Sequence, residues 1–285
     1  MLKEYKPYGA FMVDIVSDFN GTIIEPPTCE PENRRIALAV KDREVQAIKA
    51  GRIWRAGKLV GLLRTKRELE RRLSEYNAGL RPLAEVYEPF NTGVLRGQEP
   101  LLVWDTLDSY ARELVAERKV DKGLLRAFAE AKNRGSRIGF LSAAIGHLIG
   151  RTITYAGYPD LVGLVQNTDT ATGRVLLSPS VISPYNDMVA NRMEITNGVD
   201  RFTLDVYGEK ARKFEDEFLR RRGYRDKTTK YVGDTADDLP VAELLPRGNF
   251  VVSRYATDAF RQQAASIYGA ATPTKIDDLR LALRG

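Results

Sequence analysis

The sequence predicts an α/β protein, a doubly wound parallel sheet into which a mostly helical segment is inserted. Three observations carry this. The run Val13-Asp-Ile-Val-Ser-Asp18 is short, apolar and β-branched, and it ends at a carboxylate followed by the turn-forming Asn20-Gly21. From Val120 onward, strand-like and helix-like stretches alternate, the rhythm of a sheet with both faces covered. Roughly 90 residues separate the first strand from this rhythm, too many for a structureless connection inside one sheet, so they form an insert.

The elements follow in order. The breaker cluster Pro26-Pro27-Thr28-Cys29-Glu30-Pro31 ends the first strand segment. Arg35 to Lys49 has helical period, Thr65 to Tyr76 places Leu69 and Leu73 at i,i+4, and Leu101 to Glu117 aligns Leu107, Ala111, Leu114 and Val115. The stretch Lys58 to Leu63 is too short to assign. Asp121 can cap a helix carrying Leu124, Leu125, Phe128 and Ala131, which Gly135 stops. Arg137 to Ser142 then reads as a buried strand. A helix through Phe214, Phe218 and Leu219, a strand Lys230 to Asp234, a helix near Leu239 to Leu245, a strand Asn249 to Val252 and a helix Thr257 to Ser266 complete the chain. The expected organisation is core over residues 1–28, a helical cap over 29–119 and core again over 120–285.

Composition narrows the chemistry. One cysteine, Cys29, rules out an internal disulfide or a multi-cysteine metal site, and one histidine, His147, argues against a His-based relay or metal centre. Carboxylates, hydroxyls, Lys and Arg must therefore do the work. The 44 Lys and Arg against 38 Asp and Glu give a net charge of +6, which favours anionic ligands. The basic residues alternate with acids, as in Lys66-Arg-Glu-Leu-Glu70-Arg71-Arg72, a solvated helix face that does not point to nucleic acid. No signal-peptide core and no bilayer-length apolar run is present, so a cytoplasmic protein with no membrane partner is expected. Oligomeric state is not readable.

Four motifs carry the chemistry. Asp18, at the carboxyl end of a strand, sits where such sheets place ligands and can act as nucleophile or metal ligand. Ser142, between a strand and a helix, can hold an anionic oxygen, although Ser is also a common helix cap. Lys210 and Lys213 lie on the helix before the last motif, and either could supply an ammonium to anionic oxygens. The last motif, Val232-Gly-Asp234-Thr-Ala-Asp237-Asp238, packs three carboxylates into five residues. That crowding is unfavourable unless solvent or a hard cation such as Mg²⁺ screens it, or unless Asp237 simply caps the helix at Leu239.

Asp18-Phe-Asn20-Gly21-Thr22 closely resembles the Asp-x-Asp-Gly-Thr signature of the haloacid dehalogenase (HAD) superfamily, and the three later motifs follow in that family's order. The layout is most similar to the phosphoserine-phosphatase-like branch, in which a helical cap separates the first two motifs. The likeness runs from Phe11 to Ile24 and from Val120 to Ser253, leaving the insert unmatched. It implies a Rossmann-like core and Mg²⁺-dependent hydrolysis of a small phosphorylated metabolite. Asp18 would form an aspartyl-phosphate, and Asp18, Asp234 and the Asn20 backbone carbonyl would hold Mg²⁺, supported by Asp238. Ser142 and Lys210 would bind the phosphoryl oxygens, and Thr22 would shape the turn at the substrate.

One residue departs from the pattern. Asn20 stands where the family's phosphatases carry the Asp that protonates the leaving oxygen, and an amide has no titratable proton to give. The chain could therefore be a slow phosphatase, one restricted to good leaving groups, or a non-catalytic binder of phosphorylated ligands. Carbon–halogen or carbon–phosphorus cleavage on the same fold is a further alternative, disfavoured by the acidic last motif.

Overall fold

The computed structural model describes residues 13–26, 29–78, 80–81, 83–162, 164–168, 175–179, 186–191, 193–195, 199–202, 206 and 208–284. Phe11, where the motif likeness begins, and Pro27 and Thr28 of the breaker cluster lie outside them. The chain opens with β1 (Ile15–Ser17), then runs through the helices α1 (Cys29–Lys49), α2 (Ala56–Asn77), α3 (Leu83–Val86), α4 (Glu88–Phe90) and α5 (Pro100–Ala116). Next come α6 (Lys122–Asn133), β2 (Ile138–Ile145) and α7 (Gly146–Tyr155). Strands β3 (Leu164–Thr168) and β4 (Val175–Pro179) pair antiparallel; β5 (Asn186–Asn191) follows, and β6 (Met193–Ile195) pairs with β7 (Val199–Phe202). The chain ends with α8 (Lys210–Lys213), β8 (Lys230–Gly233), α9 (Leu239–Ala242), β9 (Phe250–Val252), α10 (Asp258–Tyr268) and α11 (Ile276–Ala282).

Five strands form one sheet in the order β5-β2-β1-β8-β9, every neighbouring pair parallel. The predicted architecture is present: a parallel sheet covered by helices, with helices inserted between its first and second strands. Strands β1, β8 and β9 are buried along their length except for Lys230 at the start of β8, because helices cover both faces of a parallel sheet. Local chemistry fixes the helix starts. Asp121 accepts a hydrogen bond from the Leu124 N–H at 3.0 Å, and Thr257 accepts one from Phe260 N–H at 3.3 Å, each capping the helix it precedes. Pro100 opens α5, where its missing N–H costs nothing.

Several expectations need adjusting. Lys58 to Leu63 is the first half of α2. The strand carrying Ser142 does not stop there but continues to Ile145, with a register irregularity between Ser142 and Ile145. The helix expected from Leu239 to Leu245 is assigned only to Ala242, and a 3₁₀ turn, Ala236–Asp238, precedes it. Trp54, an aromatic of the insert, is 76% exposed. His147 is half-buried with its ring stacked on Trp104, and burial pushes its pKa down to about 4.

The buried Asp14 finds a half-buried partner in Arg137. Arg137 donates to its two carboxylate oxygens at 3.0 and 2.5 Å and to the Arg222 and Gly223 carbonyls, each at 2.7 Å, tying the start of β1 to the end of the helical segment following α8. Between these elements the packing is closed. A Cβ on Gly139 would lie 2.4 Å from Phe218 Cε1 and 3.1 Å from the Tyr224 hydroxyl. Gly139→Ala is therefore expected to cost about 1–3 kcal/mol through overpacking, read as a fall in melting temperature; an unchanged Tm would mean that this face can yield.

Candidate active site

Parallel strands place their carboxyl ends along one edge, and that edge holds the site. The chain leaves β1 leftward to β2 and β5 and returns to the opposite side of β1 for β8 and β9, so the strand order reverses between β1 and β8. A crevice opens at such a reversal. Asp18 follows β1 and Asp234 follows β8, and the two ends are knitted by Asp18 N–H donating to the Val232 carbonyl at 2.9 Å. Gly21 takes φ +73° in the intervening turn, and a Cβ there would lie 2.1 Å from Asp234 Oδ2. Glycine is thus required twice, for the left-handed backbone and for the close approach of the carboxylate.

Lys210, at the start of α8, is buried and donates to Asp18 Oδ2 at 3.0 Å and to Asp238 Oδ1 at 2.7 Å. Between the two candidate lysines, the structure puts Lys210 at the carboxylates. Asp238 is fully buried and saturated. Its Oδ1 also accepts from the Tyr231 hydroxyl at 2.8 Å; its Oδ2 accepts from the Asp234 and Thr235 N–H groups at 3.0 and 3.2 Å. Thr235 and Asp238 form a reciprocal capping box around the 3₁₀ turn. Asp237, the alternative cap, is exposed at the rim instead.

Asp18, Asn20, Ser142, Lys210 and Asp234 line a cavity of about 840 Å³ with Ala143, Thr235, Tyr255 and Thr257 at its walls. Thr22 departs from the expectation of substrate contact. It is fully buried behind the cavity, and its hydroxyl donates to Asp234 Oδ1 at 2.8 Å. Its work is to orient that carboxylate. Ser142 is also fully buried; its Oγ accepts from Ala144 N–H at 3.2 Å, and its hydroxyl bears on Asp18.

The electrostatics follow from burial. Burial raises the pKa of Asp18 against the opposing pull of Lys210, with Asp238 adding to the rise. Asp234 is pushed up to about 8, by burial first and then by Asp18 and Asp238. Asp238 goes the other way: burial would raise it, but Lys210 and its many donors hold it below the ordinary range. Burial works against charge on Lys210, and the two carboxylates overcome it, keeping the ammonium protonated. Three carboxylates thus face one ammonium, an excess of two negative charges when all are ionised. Asp18, Asp234 and Asp238 each offer an oxygen within 4.8 Å of the others, all three are buried, and Asp18 Oδ1 accepts no hydrogen bond. An oxygen-only, doubly negative, buried set fits a hard divalent cation. Because Asp238 already accepts from protein donors at both oxygens, Asp18 and Asp234 are the better-placed ligands.

Sequence reasoning missed three supports. Thr235-x-x-Asp238 was visible as a capping-box spacing. Tyr231 left no signal, being one aromatic in an apolar strand. Ser253, whose hydroxyl donates to the Gly21 and Thr22 carbonyls at 3.3 Å, likewise requires the fold to be seen.

No protein-family model matches the sequence, and the curated proteins contain no significant match. Solved structures do match. A protein of unknown function from Bordetella pertussis Tohama I aligns at 14% identity and TM-score 0.59 over 91% of this chain and 97% of that one. A substrate-bound phosphoserine phosphatase aligns at 13% identity and TM-score 0.53, covering 95% and 98% of the two chains. Cytosolic 5′-nucleotidase IIIB bound to cytidine aligns at 14% identity and TM-score 0.54, covering 96% and 85%.

The chain has the HAD fold.

At these identities the likeness is one of architecture: a HAD core with a helical insert. A phosphoserine phosphatase solved as an analogue of its phospho-aspartyl intermediate shares this fold at 13% identity and TM-score 0.50, over 92% of this chain and 93% of that one.

Proposed function

We propose that the chain is a phosphohydrolase of a small phosphorylated metabolite, with Asp18 as nucleophile and Mg²⁺ as its cation. The observation that carries this reading is the buried Asp18–Lys210–Asp238 array opening, beside Asp234, into the cavity. Support comes from the HAD-fold phosphatases above, one of them studied as a phospho-aspartyl analogue. A Mg²⁺ ion held by Asp18, Asp234 and the Asn20 backbone carbonyl would neutralise charge on the transferring phosphoryl group. Lys210 holds Asp18 in place and offers its ammonium to the same oxygens; the Ser142 hydroxyl binds another. An Asp18 oxygen attacks phosphorus as the bond to the leaving oxygen breaks, and water later cleaves the acyl phosphate, returning the carboxylate. On this reading residues 29–119 act as the cap that sets the substrate, and residues 1–28 and 120–285 form the core.

The leaving oxygen departs with an electron pair and must find a proton, which the Asn20 amide lacks. Good leaving groups need none, so they are the favoured substrates. Asn20→Asp is expected to raise hydrolysis of a poor-leaving-group alkyl phosphate by about 10²-fold or more, and hydrolysis of p-nitrophenyl phosphate far less. Equal changes on both would show that position 20 is not the deficient acid. The same amide favours a second reading, a phosphoryl-ligand binder with little turnover. Stabilisation by vanadate that is lost in Asp18→Asn, without phosphate release from any ester, would establish that reading in place of the first.

Asp234 also gives the site a pH signature. In the cation-free protein its folded pKa of about 8 lies above its ordinary 3.8, so folding retains a proton that the unfolded chain releases. Its contribution to stability is full in acid and is lost as pH rises through about 8. A bound cation displaces that proton, so the gain in Tm from Mg²⁺ is expected to be larger at about pH 8.5 than at about pH 5.5 and to vanish in Asp234→Asn. A gain that is equal at both pH values would separate Asp234 from the cation.

A further inference from the structure

We propose that the hairpin tip between α1 and α2, with the outward face of α2, docks on an anionic lipid surface. The composition of this segment is one-sided. Between Val45 and Arg67 there is no Asp or Glu, whereas Lys49, Arg52, Arg55, Lys58, Arg64, Lys66 and Arg67 are all basic. Within the same stretch, large apolar side chains face water: Ile53 is 72% exposed, Trp54 76%, Leu63 62% and Val60 49%.

Folding does not account for these apolar groups. The inward face of α2 is already committed, with Leu62 and Leu69 packed against the hydrophobic core. Ala56, Val60, Leu63 and Arg67 fall at i, i+4, i+7 and i+11, so they line the opposite, solvent side of the helix, with Arg64 beside them. Ile53 and Trp54 sit in the 3₁₀ turn Ile53–Arg55, which leads directly into that stripe. Two apolar faces on one helix are surplus to a single core.

The tip is built rather than loose. Arg55 donates to both oxygens of the buried Glu44 at 2.8 and 2.9 Å, clamping the turn onto α1. Glu44 therefore spends its charge on the clamp. Lys49, Arg52, Arg64 and Arg67 have no ion-pair partner among the described residues.

Apolar side chains flanked by unpaired cations match the interfacial region of a membrane, where acyl chains lie beneath anionic headgroups. Trp is well suited to that depth, and Arg and Lys stems can lie along the apolar surface while their charges reach the phosphates. Nucleic acid would satisfy the cations but leave Ile53, Val60 and Leu63 in water. No described helix is long and apolar enough to cross a membrane, and peripheral docking needs none. The expectation of no membrane partner rested on the lack of a signal-peptide core and of a bilayer-length apolar run, neither of which bears on peripheral docking.

The test is co-sedimentation of the full chain with vesicles of phosphatidylcholine alone or mixed with phosphatidylglycerol. Binding is expected only to the mixed vesicles, falling steeply as salt is raised toward about 0.5 M. The double variant Ile53→Ser/Trp54→Ser and the charge reversal Arg64→Glu/Arg67→Glu are each expected to weaken it about tenfold or more, without lowering Tm. The chain has two tryptophans, so in a Trp104→Phe background a blue shift of Trp54 emission on vesicle addition reports its insertion directly. Absent or lipid-independent sedimentation, undiminished binding by the variants, or self-association or RNA binding through this face without vesicle binding would each overturn the proposal.

Discussion

Asp18→Asn is expected to abolish Mg²⁺-dependent phosphate release, by roughly 10⁴-fold or more, because an amide oxygen cannot serve as the attacking group. The substitution keeps the side chain's shape and removes one of the two carboxylates hydrogen-bonded to Lys210, whose ammonium still pairs with Asp238 at 2.7 Å. The fold is therefore expected to survive, and circular dichroism with Tm separates lost chemistry from lost structure. Burial already holds the Asp18 pKa up, so removing its charge relieves an unfavourable burial even as it costs a hydrogen bond to Lys210. Turnover retained in Asp18→Asn would remove the nucleophile from the proposed mechanism, whatever happened to stability.

Lys210→Met has the opposite profile, with a large cost in stability as well as activity. The variant leaves Asp18 and Asp238 buried and facing one another with no counter-charge. Breaking a buried ionic contact from one side typically costs about 3–5 kcal/mol. The loss is expected to ease in acid, where the stranded carboxylates take up protons, so the difference in Tm from wild type narrows as pH falls. A Tm equal to wild type at neutral pH would mean that the array is not the electrostatic centre described here. Lys213→Met serves as the control, because Lys213 lies on the same helix but is only half-buried and has no part in the array.

The sheet was legible where a strand ends in chemistry. Asp18 and Asp234 each close an apolar run, and a parallel sheet brings such ends together regardless of the 215 positions between them. Lys210 was legible through its order along the chain, and the insert through its length. The rest depended on packing that no local pattern encodes. Thr22 reads as a turn residue beside the substrate, and only the approach of β8 reveals that its hydroxyl serves Asp234. Tyr231 reads as an ordinary strand aromatic until α8 brings Lys210 to the same Asp238 oxygen. The β3–β4 and β6–β7 hairpins and strand β5 carried no periodicity strong enough to mark them. Trp54 runs against the rule that aromatics are usually interior, and His147 against the rule that a lone polar residue on a helix is usually outside.

The way the insert is seated limits how it can move. Ile36 and Val40 of α1 and Leu107 and Leu114 of α5 belong to the same apolar cluster as Leu148 and Ile149 of α7, Phe128 of α6 and Ile15 of β1. A lid on a hinge needs a seam that can part at small cost. Here the seam is the interior itself, and prising α5 from α7 would wet it at roughly 25 cal/mol for every Å² uncovered. Ligand traffic to the cavity is then left to the short segments that line it, around Pro26, Glu209 and Tyr255, rather than to a swing of the helices.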